Sequence, residues 1–254
     1  MILAIDIGNT NIVIGCIKGD RILFNERVST DHKATDLEYA IQLKTIIEIH
    51  NLDKNEIEGA VMSSVVPSVT GIVKHAVKKL LDIDTLVVGP GIKTGLRILI
   101  DSPSRLGSDL VVDAVAGINY YKAPLIVIDM GTATTMSVID KDNNYIGGMI
   151  IPGMRTSLDA LVSGAAQLSK IQLKQPENII GKHTAECMQS GIMNFTASGI
   201  DGCIDRIEEA LGYKCTVVAT GGLGGLIVPL CKHDIIYDDD LLLKGLLVIY
   251  RKNR

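Results

Sequence analysis

The 254-residue chain has no tryptophan and only two phenylalanines, and its aromatics total 4%. That is too little for a base-stacking platform. Its net charge is −4 and its pI about 5.7, so it lacks the basic face that a phosphate backbone needs. No nucleic-acid partner is expected. The five cysteines, Cys16, Cys187, Cys203, Cys215 and Cys231, are odd in number and form no CxxC pair. They read as reduced thiols filling core space. The five histidines are dispersed without HExxH spacing, which argues against a zinc site. Long apolar runs are missing too. Mean hydropathy is +0.30, yet no run approaches the roughly 18 residues that cross a bilayer. The run at 125–128 stops at Asp129, and the stretch 241–250 carries Lys244. No membrane association is expected. The opening MILAIDIGNTN lacks a basic first segment, is interrupted by Asp6 and has no small-residue cleavage site, so it reads as a strand and not an export signal. A cytoplasmic location is expected.

What the chain has in excess is Ile, Val and Leu, the residues of strands buried on both faces. The pattern predicts a three-strand meander over 2–7, 12–17 and 21–28. A helix over 35–50 follows, with an apolar stripe of Leu37, Ala40, Ile41, Leu43, Ile46 and Ile47. Then come a strand over 59–66, a helix over 69–81 and a strand over 85–88, giving the order βββαβαβ. The order recurs. Strands are predicted over 124–129, 134–139 and 145–150, then a long helix over 184–211 and a strand over 216–219. A helix over 223–230, a strand over 234–237 and a closing helix over 239–250 complete it. LAIDIGNTN at 3–11 lies over IVIDMGTAT at 126–134, with Asp6 on Asp129 and Gly8 on Gly131, an offset of 123 (129 − 6, 131 − 8). The fold class is therefore α/β, built from duplicated ribonuclease H-like βββαβαβ units. The boundary is expected near 117–122, giving an N-terminal domain 1–117 and a C-terminal domain 118–254.

The two DxG turns carry the chemistry. Gly8 lets backbone approach a ligand closely because it has no Cβ. Asn9, Thr10 and Asn11 offer amide and hydroxyl donors to phosphate oxygens, and Asp6 ends a buried strand where it can hold magnesium directly or through water. Either turn alone could be an ordinary polar hairpin, whereas two copies facing across a cleft make a phosphate clamp. The second turn has Thr132, Thr134 and Thr135. Gly147-Gly148 and Pro152-Gly153 then bracket a strand and turn expected to need special backbone angles. ATGGLGG at 219–225 follows a strand and lacks GxGxxG spacing; its place suits an adenosine pocket. VGPGIKTG at 88–95 is not a phosphate loop, because Ile92 and not glycine precedes Lys93. No Ser-His-Asp or Cys-His grouping is legible. Asp109, read alone, is a helix N-cap before a helix over 110–116.

DxGNTN at the start, DxGTATT at 129–135, GGxIxPG at 147–153 and the TGG turn at 220–222 together resemble the motif set of the type III pantothenate kinases, in order and over essentially the whole chain. The resemblance implies an actin-like ATPase/sugar-kinase superfold. It also implies a homodimer with shared active sites and phosphorylation of pantothenate by ATP, with Mg²⁺ and a monovalent cation, K⁺ or NH₄⁺. Carried over residue by residue, Asp6, Ile7, Gly8, Asn9, Thr10, Asn11, Ile12 and Val13 are the first ATP phosphate segment. Thr132 is a further ATP contact, and Asp129 is the monovalent-cation ligand. Gly107-Ser108-Asp109-Leu110 matches the family's GADR segment, which makes Asp109 the catalytic base and places Gly107, Ser108 and Leu110 with it at the substrate. Thr184, in GKHT, matches a substrate contact supplied by the neighbouring subunit. The family usually has arginine where this chain has Leu110, and tyrosine where it has Ile100, two positions that help hold pantothenate. Arg105 and Lys93 are candidate replacement cations. Two rival readings stand beside this one: the same kinase chemistry on a different small alcohol, and a non-catalytic transcriptional accessory factor.

Overall fold

The computed structural model describes residues 1–254. The first elements are β1 (Ile2–Ile7), β2 (Asn11–Lys18), β3 (Arg21–Ser29), α1 (Asp36–Ile49), β4 (Gly59–Ser64), α2 (Pro67–Leu81) and β5 (Thr85–Val87). Next come β6 (Arg97–Ile98), α3 (Ser108–Tyr120), β7 (Leu125–Met130), β8 (Ala133–Ile139), β9 (Asn144–Pro152) and α4 (Met154–Gly164). The chain finishes with α5 (Thr184–Leu211), β10 (Thr216–Thr220), α6 (Gly224–Ile227), β11 (Ile235–Tyr237) and α7 (Leu241–Lys252).

Two compact units result. The first holds Met1–Leu96, Asp101–Tyr120 and Asp240–Arg254, and the second Arg97–Ile100 and Tyr121–Asp239. In the first, the strand order is β3-β2-β1-β4-β5, with β1 antiparallel to β2 and parallel to β4. All six residues of β1 are buried, Asp6 included, as the Ile/Leu/Ala run leading to that acid requires of a strand covered on both faces. Leu3, Ile5 and Ile7 pack into a core with Leu43 of α1 and Val69, Val73 and Val77 of α2. Thr35 and Glu38 form a reciprocal cap on α1, and α2 opens on Pro67.

The units are not the contiguous halves that the repeat suggested. The closing helix α7 belongs to the first unit, where Leu241, Leu243, Leu246 and Ile249 are at most 1% exposed. Glycines make room for it. A Cβ on Gly59 would meet the Tyr250 ring, and one on Gly245 would overlap the Val112 carbonyl. Conversely, β6 lies in the second unit, pairing in parallel with β9 through Arg97–Asn144 and Ile98–Tyr145.

The second sheet runs β11-β10-β7-β8-β9-β6, and apart from the added β6 it reproduces the first in order and strand sense. The repeat is not uniform, however. Asp6 pairs with Val13, whereas Asp129 pairs with Thr135, so the offset falls from 123 to 122 across the turn (129 − 6, 135 − 13). Three residues, 8–10, separate β1 from β2, and only two, 131–132, separate β7 from β8. The helix expected over 223–230 is one α-turn followed by a 3₁₀ turn at Val228–Leu230, which contains Pro229. The long helix α5 has the expected bounds and buries Met188, Ile192, Met193, Ile200 and Ile204 against the second sheet's core. No helix is long and apolar enough to cross a membrane. All five cysteines are free, and burial pushes the Cys231 thiol up to about 12.

Leu246→Ala tests the assignment of α7. Emptying this fully buried position is expected to cost roughly 2–5 kcal/mol in urea unfolding. A loss under about 1 kcal/mol, the range of surface substitutions, would show that α7 is not part of that core.

Candidate active site

In the first unit, the parallel pairing of β1 with β4 brings two carboxyl ends together, with Asp6 in register with Ser63 and Ile7 with Ser64. Asp6 is 8% exposed, and the fully buried Ser63 donates its Oγ hydrogen to Asp6 Oδ1 at 2.7 Å. The turn beyond is braced from within and by Thr30, the residue after β3. Gly8 N–H donates to the Asn11 carbonyl at 3.0 Å, Thr30 Oγ1 donates to the Gly8 carbonyl at 2.6 Å, and Thr30 N–H donates to the Thr10 carbonyl at 3.0 Å. A Cβ on Gly8 would stand 3.1 Å from the Asn11 oxygen. Asn9, Thr10 and Asn11 are left exposed. Ile7 and Ile12 are core residues and Val13 is half-buried, so these three bring backbone to the site.

The helix α3 is tied to the same strand end. Ser108 Oγ accepts the Ser64 N–H at 3.0 Å and donates to the Ser64 carbonyl at 2.9 Å. The helix starts at Ser108, two residues before the expected 110, so Asp109 lies in its first turn and is not its cap. Leu110 N–H donates to Asp109 Oδ1 at 2.8 Å. A Cβ on Gly107 would overlap Asp109 Oδ1, so a side chain there would displace that carboxylate. Burial raises the Asp109 carboxyl above the usual carboxylate range, against the pull of backbone N–H groups. Leu110 is half-buried, and Arg105 is exposed.

In the second unit, Asp129 pairs in register with the buried Thr220. Gly221 has φ +92°, and a Cβ there would lie 2.6 Å from Asp129 Oδ1 and 2.7 Å from the Met130 carbonyl. Only glycine fits on both counts. The next turn closes with Gly131 N–H donating to the Ala133 carbonyl at 3.0 Å. The exposed Thr132 gives its carbonyl to Gly153 N–H at 3.1 Å and to Thr156 Oγ1 at 2.7 Å, so α4 begins clamped to this turn. Gly153 itself has an ordinary φ of −67°. Its requirement is space, because a Cβ would sit 2.5 Å from the Gly131 and Thr132 carbonyls. Gly147, at φ +141°, does need the special angle predicted for it.

Elsewhere on this unit, the half-buried Ile100 follows β6 and the exposed Thr184 opens α5 behind a His183 cap. Thr184 lines an apolar groove of about 400 Å³ with Leu161, Met188, Ile192 and Phe195. Ser63, Ser64 and Thr30 were not legible as site residues, since each acts through a partner distant in sequence. The only local signal was two consecutive hydroxyls ending an apolar strand.

A family model described as "Type III pantothenate kinase" matches residues 2–206. The type III pantothenate kinase of Moorella thermoacetica is 42% identical over 253 residues, covering 100% of both chains. Among solved structures, the activator of the 2-hydroxyisocaproyl-CoA dehydratase from Clostridium difficile, with bound ADPNP, superposes with a TM-score of 0.55. It is 12% identical, and the match covers 98% of this chain and 93% of that one. A Campylobacter jejuni protein named for the Baf family of transcriptional activators gives a TM-score of 0.57 at 18% identity, covering 99% and 98%. These likenesses show the fold, the duplicated α/β architecture of actin-like ATPases and sugar kinases. Full-length identity at 42% shows more than fold: the chain is a member of the type III pantothenate kinase family.

Proposed function

We propose that the protein transfers the γ-phosphoryl group of ATP to the primary hydroxyl of pantothenate, giving 4′-phosphopantothenate, the first step toward coenzyme A. The observation that carries this reading, in a chain of that family, is that one strand end holds both the Asp6 carboxylate, bonded by Ser63, and the residue before Asp109, since Ser64 is bonded to Ser108. Asp109 orients the hydroxyl and takes its proton as the new O–P bond forms, the γ-phosphoryl bond to ADP breaks and ADP leaves. Asn9, Thr10 and Asn11 present donors to the phosphates on a turn that Thr30 braces. Asp6, an all-oxygen ligand, suits Mg²⁺, which when bound neutralises phosphate charge. Asp129 lies at the end of its strand, next to the Met130 carbonyl and across from Thr220, oxygen donors of the kind that hold a weakly hydrated monovalent cation. The family likeness assigns Thr132 an ATP contact and places Ile100, Gly107, Ser108, Leu110 and Thr184 around the substrate.

Composite sites in a homodimer complete the proposal. Thr184 stands beside an apolar surface, with Phe195 82% and Ile180 78% exposed, that a second copy would cover. The active protein is cytoplasmic, where its substrates are.

Asp109→Asn is expected to lower kcat by about 10²–10⁴. Activity near the parent's would reduce Asp109 to a structural role. Because burial raises this carboxyl, kcat/KM should fall on acidification with its midpoint above the ordinary aspartate value of about 3.9. The stability effect has the opposite sign. The native state holds the proton more tightly than the unfolded chain, so this group's stabilisation is full at low pH and lost as pH rises through the folded pKa. At neutral pH, Asp109→Asn should therefore melt no lower than the parent.

Activity should also require K⁺ or NH₄⁺ beside Mg²⁺. Full turnover in buffer free of both monovalent ions, or an Asp129→Ala enzyme with parental kinetics, would exclude a cation at Asp129. Mixing inactive Asp109→Asn with inactive Thr184→Ala should restore part of the activity, because one hybrid site carries neither change. A fully active monomer at working concentration would refute shared sites.

A further inference from the structure

The end of β4 does more than stop a strand. Gly59, Ala60, Val61 and Met62 are buried and apolar or small, and two serines follow. A fully buried hydroxyl in such a strand is costly without a partner, and Ser63's partner is the Asp6 carboxylate at 2.7 Å. Successive strand residues face opposite ways, so Ser64 serves other elements. Its Oγ accepts the Val66 N–H at 3.1 Å and the Thr70 hydroxyl at 2.7 Å, steadying the start of α2. Its backbone N–H and carbonyl both engage Ser108 Oγ, the residue immediately before Asp109.

We infer that Ser63 and Ser108 are positioning residues for the phosphoryl transfer: Ser63 fixes the Asp6 carboxylate on the metal-nucleotide side, and Ser108 fixes the Asp109 turn on the acceptor side. The end of β4 is the shared clamp that keeps the two carboxylates in register. The inference rests on the roles proposed above for Asp6 and Asp109.

Steady-state kinetics with pantothenate, Mg²⁺ titration and thermal melting of Ser63→Ala and Ser108→Ala test it. Ser63→Ala should raise the half-saturating Mg²⁺ and the MgATP KM about tenfold, the scale of one lost hydrogen bond to a charge. The pantothenate KM should stay at the parent value, and Ser63→Thr, which keeps the hydroxyl, should recover most of the loss. Ser108→Ala should instead lower kcat about tenfold with the MgATP KM unchanged. That split is the decisive readout. A scaffold role alone would lower the melting temperature and the active fraction of both variants while leaving every KM in place, and would overturn the inference. Should Ser63→Ala fail to fold, Ser63→Cys carries the same measurement with a weaker donor, and a Cys variant with parental Mg²⁺ dependence would also overturn it. Asp6→Asn and Asp109→Asn run in parallel separate the two levels. If both keep parental kinetics, the roles of the acids are wrong. If both are inactive while the serine variants match the parent, only the clamp is wrong.

Discussion

Parallel pairing of each unit's central strand with the strand beyond the crossover is the constraint on which the rest depends. β1 beside β4 and β7 beside β10 force the carboxyl ends of two strands to finish together. In each unit the central strand ends its apolar run on an aspartate, and the residue in register with that aspartate is a buried hydroxyl, Ser63 opposite Asp6 and Thr220 opposite Asp129. A strand buried on both faces cannot carry an acid in mid-run without a large desolvation cost. At its end, the acid meets a neighbouring strand's terminal side chain and backbone left bare by glycine. The chemistry sits where the fold permits charge.

Duplication supplied two such ends, and a one-residue difference made them unlike. The three-residue turn after β1 leaves Asn9, Thr10 and Asn11 exposed, its carbonyls tied back to Thr30. The two-residue turn after β7 spends the Thr132 carbonyl on α4, which packs so closely that Gly153 cannot bear a Cβ. Both turns are braced, the first by Thr30 and the second by α4, but the first exposes three polar side chains and the second only Thr132.

Strands and the long helix were legible because their signals are local: aliphatic runs leading to the acids of β1 and β7, and helical spacing of apolar residues through α5. The acids Asp6 and Asp129 were legible because each breaks such a run before glycine. What was not legible depends on partners. The apolar face of α7 announces burial, but only the glycines at 59 and 245 show which unit receives it. The two-residue β6 exists only because β9 offers it an edge. Nothing local separates Asp109 from Asp113, one turn later on the same helix. The structure does, since Asp113 is 1% exposed within the helix and Asp109 is half-buried at its first turn.

The neighbour of Asp109 bears on its chemistry. The influences that set this carboxyl are burial, which raises it, and backbone N–H groups, which hold it down. An arginine at position 110, the residue that the family resemblance leads one to expect, would bring an opposite charge near it and favour the ionised, less basic form. With leucine at 110 no side-chain charge there opposes burial, and backbone N–H groups alone hold the carboxyl down. The same leucine removes a cation suited to grip a substrate carboxylate in bidentate fashion. On the roles proposed for Asp109 and for position 110, proton acceptance and substrate anchoring pull in opposite directions at one position.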